Sequence, residues 1–253
     1  MCPWSSPDDS GYAGAVQKHF GKLVDNLRCL LSIKPDPSTT PRYELEILLL
    51  GCCYIDSLAG VFLDAEKSRA RFRELLWDYS DRSKLDFRRV DLPALRKALE
   101  RYPIATKHNG KWVPRDNHLP LDVTKLTAVL EQEIQKCSYN AGDIRDIDEP
   151  TFDQVLPTLM SLLTTEQQAE HGNKIEELIK EATYAGVLYE QYRSPLVHET
   201  LIRGHWYGAA TDLPVYVASE GGDVDLTFPP LFVVSVLENI LETIFSKYWV
   251  TTE

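Results

Sequence analysis

The segment Tyr192-Arg193-Ser194-Pro195-Leu196-Val197-His198-Glu199 puts a permanent cation, a titratable base and a helix-start signature side by side. Proline has no N–H to donate and suits the first position of a helix, and a serine directly before it is a good N-cap. The spacing predicts that a helix running through Tyr192 breaks here and that a new one starts at Pro195. Arg193 then stands at the junction and His198 about one turn in. On an unbroken α-helix two residues five apart stand roughly 140° from each other and do not converge. With the break, a guanidinium, an imidazole and the free N–H groups of a helix start share one place, a setting suited to a phosphate. Histidine moves protons near neutral pH, and arginine stays charged and can hold two phosphate oxygens. The same residues admit a structural reading, with Arg193 capping carbonyls at a helix junction and His198, between Val197 and Leu201, a satisfied core residue.

A second group surrounds Asn109-Gly110, where Lys107, His108, Lys111, Trp112 and Arg115 mix cations with an aromatic ring. A hairpin tip of this kind could follow a phosphate backbone and stack a base. A solvated hairpin with one packed tryptophan is the alternative. The charge distribution makes this region distinct. The chain carries 27 Lys and Arg against 38 Asp and Glu, a net charge of −11, which excludes a surface that is basic all over. Between Ala65 and Arg115 the balance reverses, with 14 basic residues against 7 acidic, so the local charge is +7 and the remainder carries −18. Any nucleic-acid site must therefore be local.

Other chemistries lack their signatures. There is no G-x-x-x-x-G-K-[ST], no G-x-G-x-x-G after a strand, no G-x-S-x-G and no H-E-x-x-H, which argues against a nucleoside triphosphatase, a dinucleotide-binding dehydrogenase, an α/β-hydrolase and a zinc peptidase. The six histidines form no metal-ligand cluster with cysteines or carboxylates, so no metal or other cofactor is expected. Cys2, Cys29, Cys52, Cys53 and Cys137 are odd in number and make no C-x-x-C pair. With no secretory leader at the start, reduced thiols in a cytoplasmic protein are expected. The most lipid-like stretch, Ile47 to Leu63, is interrupted by Asp56 and reads as a buried core helix rather than a membrane span.

The elements that must position these residues are mainly helical. Apolar residues at helical spacing predict helices over Ala15–Ile33, Tyr43–Leu63, Glu66–Tyr79, Leu92–Tyr102, Val123–Cys137 and Phe152–Leu163, the last accommodating Pro157. On Glu66–Tyr79 the arginines Arg69, Arg71 and Arg73 are expected to face water. From Ile175 to Tyr192 the same periodicity predicts one long helix. Asn109-Gly110 predicts a hairpin within Ile104–Val113, and a second is expected around Glu220-Gly221-Gly222. Pro229-Pro230 opens a final helix carrying Val233, Leu237, Ile240, Leu241, Ile244, Phe245 and Tyr248. The expectation is one mainly α domain over residues 1–253, a helical bundle with one or two small β-hairpins and an inserted helical segment at 65–150.

Arg193 and His198 match the R-x4-6-H motif of the HEPN superfamily, and the chain resembles HEPN-like proteins of uncharacterised bacterial groups. The apolar helix carrying Tyr54-Ile55-Asp56-Ser57-Leu58-Ala59, and the hairpin and last helix after the motif, extend the resemblance to roughly Ala15–Leu63 and Glu170–Tyr248. It implies a metal-independent endoribonuclease that uses the RNA's own 2′-hydroxyl, with His198 moving the proton and Arg193 stabilising the developing phosphorane. It also implies a catalytic-site role for Asp56, on a helix where the family often places a polar residue, orienting Arg193 or His198. Lys107, Lys111, Trp112 and Arg115 are the candidate RNA-binding residues. Many members act as homodimers with a composite site, and active members often serve in bacterial defence or toxin–antitoxin systems, so RNA, a second copy and an antitoxin or other defence protein are the expected partners. Ser194 departs from the Asn, Asp or His that often follows the arginine. A non-catalytic HEPN-like scaffold, binding a partner protein or a nucleotide, is the rival reading.

Overall fold

The computed structural model describes residues 10–33, 42–63, 67–80, 82, 85–102, 105–108, 111–114, 121, 123–137, 139, 148–193, 213–218 and 224–248. The protein is mainly α-helical. Its helices are α1 (Ser10–Ser32), α2 (Arg42–Phe62), α3 (Ser68–Tyr79), α4 (Leu92–Arg101), α5 (Val123–Cys137), α6 (Phe152–Met160), α7 (Thr165–Ala182), the short α8 (Tyr184–Val187) and α9 (Pro230–Tyr248). A π-helical turn occupies Leu188–Arg193. Strands β1 (Ala105–His108) and β2 (Lys111–Pro114) pair antiparallel, and β3 (Val215–Ala218) and β4 (Val224–Thr227) form a second two-stranded sheet.

The chain divides into two compact units. The first comprises Met1–Phe87, Leu188–Val215 and Thr227–Glu253, and the second Arg88–Val187 and Tyr216–Leu226.

In the first unit α2 is the central element, packing against α1, α3, α9 and the π-helical turn. That explains why its sequence is apolar on most sides: Ile47, Leu48, Cys52, Ile55, Leu58 and Ala59 are almost fully buried. Tyr43–Phe62 is also long and apolar enough, by length and composition, to cross a membrane. Gly51 marks the close approach of α2 to α9, since a Cβ there would lie 2.7 Å from Val233 Cγ1. Phe228 and Phe232 stack at the start of α9, and Tyr192 meets Phe228 edge-on while its hydroxyl accepts a hydrogen bond from the Phe228 N–H at 3.1 Å. The π-helical turn is thereby tied to the start of α9.

Helix α3 departs from the expected picture of outward arginines. Phe72, Leu75 and Leu76 face inward as expected, but Arg73 is also buried and Arg69 forms an ion pair with Glu190 at 2.7 Å. The reason is that α3 is covered by α2, α9 and the π-helical turn, so more than one of its faces is occupied.

In the second unit α4 packs against α5 and α7, and α6 and α8 pack against α7. Residues 88–91 are extended and held from both sides. The Val90 N–H donates to Pro150 O and the Phe152 N–H to Arg88 O on one side, and the Asp91 N–H donates to Ala182 O and the Tyr184 N–H to Arg89 O on the other. This segment interrupts what the sequence presents as one helix from Ile175 to Tyr192. Thr183 leaves the helix to pair with Val90, its hydroxyl donates to Lys180 O at 2.7 Å, and it accepts the Gly186 N–H at 3.2 Å to cap α8. Gly186 is required at this turn, because a Cβ would lie 2.3 Å from Lys180 O and 2.5 Å from Glu181 O. Helix starts follow their sequence signals: Asp91 caps α4 through the Ala94 N–H, and Thr164 and Gln167 cap α7 reciprocally.

Candidate functional site

Four side chains from three elements of the first unit form a closed ring. Arg193, last residue of the π-helical turn, donates from Nη2 to Oδ2 of Asp56 on α2 at 2.6 Å. Ser68, the first residue of α3, donates from its hydroxyl to the other carboxylate oxygen, Asp56 Oδ1, at 2.7 Å. Tyr189, one helical turn before Arg193, donates its phenolic hydroxyl to Ser68 Oγ at a longer 3.4 Å. Its ring closes the circuit, with the Arg193 guanidinium carbon 5.3 Å from the ring centroid, in cation–π range.

Each member is placed by its own element. Asp56 sits on α2 between the buried Ile55 and Leu58, so its carboxylate leaves the core at the margin of the helix. Ser68 opens α3, after the N-cap Lys67, and its hydroxyl reaches Asp56 on α2. Tyr189 is held by an edge-on contact with Phe72, ring centroids 5.3 Å apart. The side chains of Arg193 and Asp56 are 16% and 14% exposed, so their attraction is less screened than that of a surface pair. Arg193 Nε is buried and has no hydrogen-bond partner among the described residues. A guanidinium carries five N–H donors in a fixed fork. One is spent on Asp56 and Nε is buried, and the remaining Nη donors are chemically suited to the oxygens of an anion.

The Arg69–Glu190 pair flanks the ring, and Arg71, one turn along α3 from Ser68, lies near Gly60 of α2. Cys52 and Cys53 lie beneath. Burial pushes the Cys52 thiol far above its ordinary value, and burial also raises that of Cys53, where Arg193 acts against the shift and Asp56 with it. Neither is an activated thiolate.

Of the residues singled out in the sequence, Arg193 and Asp56 are thus brought into contact. His198 lies outside the described residues, with Ser194, Pro195 and the helix expected to start there. Lys107, Lys111 and Trp112 belong to the β1–β2 hairpin of the second unit, in which Lys107 pairs with Trp112 and His108 with Lys111, while Arg115 lies outside the described residues. Among the described residues no group of three or more His, Cys, Asp or Glu could hold a metal ion. Sequence reasoning missed Ser68 and Tyr189. The signal for Tyr189 was its four-residue spacing from Arg193; for Ser68 there was only its place at a helix start.

The second unit holds a separate polar cluster. The buried carboxylate of Glu149 accepts hydrogen bonds from Tyr139, Tyr184 and, at 2.9 Å, Tyr216. Tyr139 and Tyr216 meet edge-on with centroids 4.9 Å apart. Burial, reinforced by the negative charges of Glu149 and Asp91, holds the hydroxyls of Tyr139 and Tyr216 well above the ordinary tyrosine pKa.

The fold and site together define a mainly helical protein of two units with an arginine–carboxylate centre at a π-helical turn. Comparison with known proteins gave no match to a family model, a curated protein or a solved structure.

Proposed function

We propose that the chain is a HEPN-like, metal-independent endoribonuclease whose site is built on Arg193, His198 and Asp56. The observation that carries this reading is the Arg193–Asp56 contact at 2.6 Å. An arginine five residues before a histidine is held by an acidic residue on the apolar helix where the resemblance places a polar one. In this reading Arg193 binds the scissile phosphate and stabilises the charge of the transition state, and Asp56 fixes the guanidinium. His198 moves the proton of the attacking 2′-hydroxyl or of the leaving oxygen. Lys107, Lys111, Trp112 and Arg115 contribute RNA contacts. The working form is a cytoplasmic homodimer in a bacterial defence or toxin–antitoxin system, opposed by an antitoxin or a related protein.

The test is RNA cleavage by wild type, Arg193→Ala and His198→Ala, each with and without EDTA. Cleavage by wild type alone, unaffected by EDTA and leaving 2′,3′-cyclic phosphate ends, supports the reading. Intact RNA with wild type, or equal cleavage by the variants, ends it.

A second reading draws on the same pair. Arg193 is mostly buried and already neutralised by Asp56, as in a non-catalytic scaffold where the ion pair fixes helix packing. Such a protein would bind a partner protein or a nucleotide and leave RNA intact.

A further inference from the structure

The ring around Arg193 has a direction, because each hydroxyl in it has one proton to give. Tyr189 donates to Ser68 and Ser68 donates to Asp56 Oδ1, which leaves Oδ2 to accept from Arg193. Without Ser68 the carboxylate could turn about its terminal torsion, which is broad and roughly two-fold, and offer both oxygens to the guanidinium. A bidentate pair of that kind would consume the second N–H of the fork. With Oδ1 engaged by Ser68, Asp56 holds Arg193 through Nη2 at a single point. Tyr189 acts at both ends of this arrangement. Its hydroxyl supports Ser68, and its ring lies against the guanidinium and limits where the fork can swing.

We propose that Ser68 and Tyr189 are positioning residues for Arg193, holding Asp56 to single-point contact so that the remaining guanidinium donors stay available to an RNA phosphate. The phosphate clause rests on the ribonuclease reading, and the positioning clause does not. Neither residue touches the reacting atoms in this scheme; both act through Asp56 and Arg193.

Two measurements on the same variants separate these clauses. The first is nitrogen-15 NMR of the arginine guanidinium groups, which reports restricted rotation whether or not RNA is cleaved. Wild type is expected to give distinct, slowly exchanging Nη signals for Arg193, assigned by their loss in Arg193→Lys. Ser68→Ala, which frees Asp56 Oδ1 for a second guanidinium N–H, should slow the Nη exchange further and shift a second N–H signal, Ser68→Thr should restore the wild-type pattern, and Tyr189→Phe, which keeps the ring and loses the hydroxyl, should fall between. The second is steady-state RNA cleavage. A hydrogen bond to a charged group is worth enough for Ser68→Ala to lower kcat about tenfold. KM should change less than about twofold, with recovery in Ser68→Thr. Restoration by threonine excludes a mere loss of folding. If Ser68→Ala leaves the Arg193 signals as in wild type, the positioning role is overturned. If those signals change as expected but wild type leaves RNA intact, positioning stands and the RNA-phosphate clause falls.

Discussion

Arg193 and Asp56 lie 137 residues apart in the chain and 2.6 Å apart in space, joined by Nη2 and Oδ2. The contact ties the π-helical turn to the central helix α2, and both residues are largely withdrawn from water. Removing one member of such a pair leaves a desolvated charge without its counterion. This cost exceeds the worth of the pair itself.

Asp56→Ala should therefore destabilise the protein by about 2–3 kcal/mol, less than a fully buried pair because both side chains keep some solvent. Asp56→Asn, which retains the Ser68 contact, should cost less. Urea denaturation checks both. In a double-mutant cycle with Arg193→Ala the coupling should be about 1–2 kcal/mol, and a coupling near zero would show that the contact contributes nothing to stability.

The tyrosines around Glu149 set an alkaline limit. In the unfolded chain Tyr139 and Tyr216 ionise near pH 10, whereas in the fold they hold their protons to higher pH. The folded state then binds more protons than the unfolded state above that point. Their stabilisation is complete below about pH 10 and is lost as pH rises from there through the folded pKa. Denaturation midpoints measured from pH 8 to 11 should be level and then fall, and Tyr216→Phe should flatten the fall.

Glu149→Ala should be among the most damaging single changes in the second unit, costing about 3–5 kcal/mol, because it removes a charged acceptor of hydrogen bonds from three tyrosines. Glu149→Gln, which keeps an acceptor, should be milder. Thermal unfolding followed by circular dichroism ranks the two; equal midpoints would remove the argument.

Gly186→Ala should destabilise more than Gly51→Ala. The first sets a methyl against the carbonyl oxygens of Lys180 and Glu181, and the second against a side-chain methyl of Val233 that can turn away. Roughly 2–3 kcal/mol against about 1 kcal/mol is expected from the overpacking scale, read as a difference in denaturation midpoint.

Thiol reactivity should follow exposure. Cys29 is exposed, whereas Cys52 is buried with its thiol pushed up by that burial. Iodoacetamide followed by peptide mass spectrometry should label Cys29 rapidly and Cys52 only on unfolding.

The helices were legible because their apolar spacing is strong: α2, α5 and α9 lie close to where periodicity puts them. Arg193 and Asp56 were legible as residue types, since a charged group beside an apolar run needs a partner. Their pairing through Ser68 was not, because a serine at a helix start carries the same signal whether it faces water or a carboxylate. The break at Thr183 was hidden for a related reason. Ala182, Tyr184 and Ala185 keep the helical apolar rhythm, and the cause of the break is the distant segment 88–91. The boundary between Val187 and Leu188 falls in the middle of that rhythm, so apolar spacing carries no signal for it.

Glu149 also bears on how the protein is made. Its partners stand 10, 35 and 67 residues away, and Tyr216 comes last. During synthesis the carboxylate must wait, still hydrated, until the chain has passed through the first unit's Leu188–Val215 and returned with Tyr216. A truncated chain ending before that residue would leave the Glu149 carboxylate without its Tyr216 hydrogen bond. Nascent chains stalled there should therefore be soft targets for proteases, hardening once the hairpin emerges.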